Sequence, residues 1–151
     1  MPTNLLRRND KPPRPASRRD TTPPATQRRI AVLKVRSLTL RIALATTATA
    51  DRIWTQLPLN STIETWGQSI HFETHVETGR DRTARLNIEP RDVAYWSEDD
   101  RIIVAWGPTP ISRPSEIRMM RPCNVWATLL DDPSVLADIT PGERVTLIRE
   151  P

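Results

Sequence analysis

Apolar and polar residues alternate with a period of two over several short stretches of the chain, the spacing of half-buried strands. "IAVLKVR" (30–36) and "LTLRIAL" (38–44) are the first. In the second, Leu38, Leu40, Ile42 and Leu44 alternate with Thr39, Arg41 and Ala43. The apolar phase slips at Arg36-Ser37, which predicts a short turn or bulge there. "SIHFETHV" (69–76) puts Ile70, Phe72 and Val76 on one side and His71, Glu73 and His75 on the other. "ETGRDR" (77–82) reads as a hairpin turn around Gly79. "DVAYW" (92–96) and "RIIVAW" (101–106) flank a tight acidic turn, "SEDD". "NVWATLL" (124–130) and "ERVTLIRE" (143–150) are two more strands. Between them "DDPSVLADITPG" reads as a short helical turn followed by a Pro-Gly turn.

One stretch has helical spacing. In "TTATADRIWTQLP" (46–58), Ala50, Ile53, Trp54 and Leu57 fall at i, i+3, i+4 and i+7, one face of a helix. Thr47 or Thr49 caps it, Asp51 sits in its first turn, and Pro58 ends it. That face should cover the open side of a sheet. Many short strands and one main helix predict a mainly β fold, a closed or nearly closed β-barrel with a helical cover. "IIVAWGPTP" (102–110) refines this. Ile102, Val104 and Trp106 share one face, Ile103 and Ala105 the other. A strand apolar on both faces is covered on both sides, here by barrel interior and helix. Gly107, Pro108 and Pro110 then end it. Trp66-Gly67 and Trp106-Gly107 echo each other.

Composition adds a division of the chain. The 151 residues suffice for one domain, and 37% apolar residues suffice for a core. Residues 1–29 carry eight basic and two acidic side chains, a net of +6; against a total of +4 this leaves 30–151 at −2. Six of the 15 prolines lie in the same segment, and it lacks apolar periodicity. It reads as a disordered basic Pro/Arg-rich arm, with the folded domain at 30–151. The arm is open to several readings: a contact with nucleic acid or another anionic partner, a transit peptide, a solvated extension, or an upstream start codon. It lacks the interleaved aromatics that stack on bases. No apolar run approaches a membrane span, none resembles a secretory signal, and Cys123 is the single cysteine. These features fit a reducing, cytoplasmic setting and no membrane partner.

The ordered motifs converge on a known group. "LPLNSTIETWGQSIHF" (57–72), "DVAYW", "IIVAWGPTP" and "CNVWATLLDD" (123–132) resemble the small, mainly prokaryotic cyclophilin-like domain family, in order and spacing, over about 30–150. The resemblance implies a compact β-barrel of cyclophilin fold with no assigned biochemical role. This chain departs from the family pattern at three points: Arg91-Asp92 stands where the family usually has Gly-Asp, Ser97 where it often has Pro, and the first motif differs most. Where the family commonly has Trp-Gly-Asp-Glu-Ile-Tyr-Phe, it has Trp66-Gly67-Gln68-Ser69-Ile70-His71-Phe72. True cyclophilins isomerise X-Pro bonds with an Arg on a strand beside Phe and Gln. Their Phe-His-Arg and Gly-Gly-Asp stretches are absent, and the strand of Phe72, the only phenylalanine, has no Arg. The resemblance therefore implies fold before catalysis.

Candidate chemistry is sparse. His71, Glu73 and His75 share a strand face, but at about 3.3 Å per residue His71 and His75 lie about 13 Å apart, too far to share one ion. "SEDD" lacks the spacing and glycine of a calcium loop. There is no G-x-S-x-G, P-loop or G-x-G-x-x-G motif, and four glycines make a phosphate cradle unfavourable. No cofactor, metal or catalytic residue is therefore assigned. The aromatic set is the best binding candidate. Trp66, Phe72, Tyr95, Trp96 and Trp106 either fill a small barrel or gather at a pocket mouth, with Gln68, Thr109 and Arg113 supplying polar contacts. The function expected is non-catalytic binding of a small molecule or extended peptide in an aromatic-lined groove. The alternatives are a weak peptidyl-prolyl isomerase and an interaction module acting through the arm. Neither the oligomeric state nor the ligand is legible in the sequence.

Overall fold

A computed structural model describes residues 28–151, so the expected arm lies outside the described residues except for Arg28 and Arg29. The strands are β1 (Ile30–Val35), β2 (Leu38–Leu44), β3 (Leu59–Thr65), β4 (Ser69–Glu73), β5 (Arg85–Ile88), β6 (Asp92–Trp96), β7 (Arg101–Ala105), β8 (Ile117–Leu129) and β9 (Arg144–Arg149). They form one antiparallel sheet in the order β2-β1-β9-β3-β4-β7-β6-β8-β5. β2 also pairs with β8, from Ile42 opposite Leu129 to Leu44 opposite Ala127. That pairing returns the sheet on itself. All strands but β5 make the ring, and β5 hangs on β8. The fold is mainly β, as the alternation predicted.

The phase slip at Arg36-Ser37 is the turn of the β1–β2 hairpin. Val35 pairs with Leu38, and Arg36 takes a positive φ of 56°. One face of each ring strand points inward. Leu33, Leu40, Ile63, Ile70, Phe72, Tyr95, Val104 and Trp126 meet there, all fully buried. Each such side chain contributes about 1.5–3 kcal/mol through burial.

The helix α1 (Ala48–Gln56) starts at Thr47, whose hydroxyl accepts the Ala50 N–H at 3.1 Å. Ala50, Ile53 and Leu57 join the interior cluster. Trp54 sits at the edge of that face, half-buried, with the guanidiniums of Arg29 and Arg149 at 5.7 and 4.6 Å from its ring centroid. A 3₁₀ helix (Pro133–Asp138) precedes β9.

Three expectations change. "ETGRDR" is not a hairpin turn: β4 already pairs with β3 and β7, leaving no edge for β5, which pairs with β8. The outer face of β7 is covered by β5 and the first half of β8 rather than by the helix. Ile103 and Ala105 pack there with Ile88, Ala94, Trp96, Ile117, Met119 and Cys123. Strand β8 also begins well before Asn124. It passes Pro122 through a break in register, where Arg85 opposes Cys123 but Asn87 opposes Arg118.

Arg36 ties the first turn to the turn before β9. Its Nε donates to Glu143 Oε1 at 2.6 Å and its Nη2 donates to Oε2. The Arg36 hydrogen bond, followed by the Thr140 N–H at 3.0 Å, holds the Glu143 carboxyl down at about 2. A carboxyl depressed in the folded state stabilises it fully above the ordinary Glu value near 4.5. That contribution is lost as pH falls towards 2. Urea midpoints of the wild type should therefore drop more steeply than those of Glu143→Gln between pH 4.5 and 2; parallel curves would refute the assignment.

Candidate functional site

The two Trp-Gly dipeptides are docked on each other. Trp66-Gly67-Gln68 turns the chain between β3 and β4, and Trp106-Gly107-Pro108 leaves β7 directly beside it. The Trp106 N–H donates to the Gln68 carbonyl at 2.9 Å, and the Gln68 N–H to the Pro108 carbonyl at 3.0 Å. Gly67 has φ +62°, and a Cβ there would lie 2.8 Å from Pro108 O, Thr109 Cα and Pro110 Cδ. A Cβ on Gly107 would lie 2.0 Å from Gln68 Oε1. Close backbone approach therefore requires glycine at position 67, whereas at Gly107 the neighbour is the Gln68 side chain.

The loop after Gly107 is held from within. Thr109, 5% exposed, donates from Oγ1 to the Arg118 carbonyl at 2.6 Å. Ser112 Oγ accepts the N–H groups of Thr109 and Arg118, each at 2.9 Å. Glu116 Oε1 accepts the Arg113 N–H at 2.9 Å and Arg118 Nε at 2.8 Å, and these bonds, Arg113's first, hold its pKa below the usual carboxylate range. Between this loop and the end of β5 lies a cleft of about 380 Å³. Trp106, Ile88, Ile117, Pro90 and Pro108 give it apolar walls; Asn87, Glu89, Ser115 and Glu116 give it polar ones.

A family model described as cyclophilin-like matches residues 28–148. The chain belongs to the cyclophilin-like family. Among solved structures, the solution structure of a hypothetical protein from Archaeoglobus fulgidus is 27% identical, with a TM-score of 0.70 over 82% of this chain and 95% of that one. McbB, solved in complex with tryptophan, is 15% identical, with a TM-score of 0.61 over 80% of this chain and 44% of McbB. At that identity the likeness is one of fold. No curated protein sequence matches the chain.

The eight residues singled out from the sequence occupy four places in this cyclophilin-like fold. Trp106 lines the cleft. Gln68 and Thr109 buttress it, and Arg113 contributes its backbone N–H to the loop while its side chain is exposed. Phe72 and Tyr95 are buried in the ring interior. Trp66 and Trp96 pack edge to face, centroids 5.8 Å apart, with the cluster outside the ring. Asn87, Ile88, Glu89, Pro90 and Ser115 to Ile117 were missed. Only the echo of the two Trp-Gly dipeptides pointed towards this corner.

The histidines diverge. The His71 ring packs against Trp96 at 5.4 Å, tilted by 50°, and burial, then Arg101, hold its pKa below the ordinary value. His75 is exposed. Among the described residues no three His, Cys, Asp or Glu side chains are grouped to hold a metal ion. No helix of the described residues is long and apolar enough to cross a membrane.

Two outcomes follow from this geometry. Gly67→Ala should destabilise the domain by about 1–3 kcal/mol, through the positive φ and the contact with Pro108 to Pro110; an unchanged melting temperature would contradict the docked junction. Burial pushes the Cys123 thiol up to about 12. It should resist iodoacetamide at pH 8 in the native state and react once urea unfolds the chain. Rapid native labelling would contradict its burial.

Proposed function

We propose that this cyclophilin-like domain binds a small molecule or an extended peptide in the cleft beside Trp106, without covalent catalysis. The observation that carries the reading is the composition of the cleft. A half-buried indole, two isoleucines and two prolines form walls for an apolar group, next to the carboxylates of Glu89 and Glu116. Glu116 already holds Arg118, whereas the Glu89 side chain makes no hydrogen bond or ion pair among the described residues. The ligand best suited is an apolar body carrying a cationic donor, as a small amine or as a peptide side chain. The walls are stiff before binding, which lowers the ordering cost of association. Neither histidine and not the cysteine lines the cleft, so the chemistry on offer is recognition. McbB was solved with tryptophan, an aromatic ring carrying both an ammonium and a carboxylate, which puts aromatic amines and aromatic acids first among the probes.

Phenethylamine and phenylacetate share a ring and differ in charge. Followed by tryptophan fluorescence and by amide shifts of Gly107 and Ser115, phenethylamine should bind at least about tenfold more tightly. Trp106→Ala should abolish the response, and Glu89→Gln, an exposed change that leaves the core intact, should remove the preference for the amine. Equal affinity for both probes, or binding unaffected by either substitution, would overturn the reading.

A further inference from the structure

A second cleft, of about 500 Å³, opens at the other end of β7, lined by Arg52, Glu77, Thr78, Gly79, Ser97 and Asp100. About 20 Å of extended chain separates Asp100 from Trp106, so this cleft is independent of the function proposed at the other. Its walls are α1, the loop after β4 and the turn between β6 and β7.

Buried polar side chains fix these walls. Asn124, 1% exposed, donates from Nδ2 to the Gly79 carbonyl at 2.8 Å and to Thr49 Oγ1 at 3.0 Å. Its Oδ1 accepts the Asp81 N–H at 2.8 Å. Thr49 lies one turn before Arg52 on α1, so one amide sets both the helix and the loop. On the far wall the Asp100 carbonyl accepts the N–H and Oγ1 of buried Thr74 at 2.8 and 3.1 Å. The hydroxyl of buried Tyr95, which donates to the Val76 carbonyl, lies 3.4 Å from Asp100 Oδ1. Asp100 is held at φ 53°.

The charges that line the cleft are opposite in sign and kept apart. Among the described residues Arg52, Glu77 and Asp100 form no ion pair, although other charged neighbours such as Arg80 and Glu98 do. One guanidinium and two carboxylates thus line the same open cleft without pairing to each other.

The geometry points to a binding site for a small zwitterion, a free α-amino acid, its carboxylate on Arg52 and its ammonium on Glu77 and Asp100. A single anion would meet two repelling carboxylates, and a single cation would meet the guanidinium; a zwitterion satisfies both. A guanidinium suits a carboxylate because it offers two parallel donors. Thr78, Gly79 and Ser97 supply the rest of the lining, so the side chain accepted is small or polar. Nothing aromatic lines this cleft, in contrast with the one at Trp106.

The test uses the full chain and three probes: L-alanine, N-acetyl-L-alanine and L-alanine methyl ester. Amide shifts of Thr78, Gly79 and Ser97 report on this cleft, and those of Gly107 and Ser115 on the other. L-Alanine should give saturable shifts at the first group only, and both blocked forms should bind at least about tenfold more weakly, the loss of a charge-assisted contact. Arg52→Gln, an exposed substitution, should weaken alanine about tenfold and remove the discrimination between alanine and its ester. Unchanged remote shifts verify that the variant is folded. Equal binding of the three probes, no response to alanine, or an Arg52→Gln protein that behaves as wild type would overturn the proposal.

Discussion

Strand β7 carries apolar side chains on both faces: Ile102 and Val104 point inward, Ile103 and Ala105 outward. Closing a sheet into a ring buries one face of every strand and leaves the other to water. A strand apolar on both sides therefore demands a second cover, and so does its neighbour β6, whose Ala94 and Trp96 face outward. β8 meets that demand through its length. Its C-terminal end closes the ring between β2 and β6, and its first half, with β5, folds over the outside of β6 and β7. Ile117, Met119 and Cys123 supply the cover. Without it, Ile103, Trp96 and their neighbours would form an exposed apolar patch of the kind soluble surfaces avoid. The Trp106 cleft is a consequence of this arrangement, because it lies where the end of the outer cover meets the loop leaving β7.

Polar groups are treated differently at the two clusters. At the ring ends, where the backbone leaves the sheet, buried side chains take over its hydrogen bonds: Asn124 for Gly79 and Asp81, Thr74 for Asp100, Thr109 for Arg118. Tyr95 extends the same network to the Val76 carbonyl, and burial raises its hydroxyl to about 12, so it stays a donor at all ordinary pH. The outer cluster contains an exception. Among the described residues Trp96 Nε1 is buried with no oxygen or nitrogen acceptor, only the weakly accepting Cys123 thiol beside it, at a cost of up to about 1–3 kcal/mol. Contacts of the same ring with Trp66 and His71 offset part of it. Stiff loops at the ring ends and a tolerant apolar cover outside follow from the same sequence.

The parts of this fold that were legible are those in which local pattern and tertiary role coincide. β1, β2, β4 and β6 alternate or run apolar, and α1 combines an apolar stripe with the Thr47 cap and Asp51 in its first turn. β3 was not recognised as a strand because Ile63 is its single fully buried side chain. Its backbone pairs on both sides, and ladder bonds need no apolar residue. β5 is four residues long and polar at alternate positions. The first half of β8 reads as a loop because Met120 and Arg121 bulge outward and Pro122 breaks the pattern. The period of two sorts residues onto faces but does not say which face is inside. Tyr95 and Trp96 are neighbours that alternate correctly, yet one enters the ring and the other the outer cover. The cleft residues Asn87 to Pro90 and Ser115 to Ile117 meet through the β5–β8 pairing, a long-range contact with no local signature.

Both ends of β7 are marked by backbone that cannot continue a strand. Asp100 holds a positive φ before it, and Gly107 with Pro108 follows the last paired residue, Ala105. Between these points β7 is hydrogen-bonded to β4 on one side and β6 on the other. A strand clamped in that way has no slack, so the separation of its two ends is set by residue count alone. The side chains just beyond the clamp, Trp106 at one end and the Asp100 carboxylate at the other, are released from the core while their backbone remains part of it. Trp106 illustrates the result: it shares the inward face with Ile102 and Val104 but lies past the ladder, so one part of the indole rests on the core and the other is left to wall the cleft. Rigid backbone with partly freed side chains is what a preformed binding surface needs. Here it arises because a strand that must be buried on both faces also has to stop abruptly at both ends.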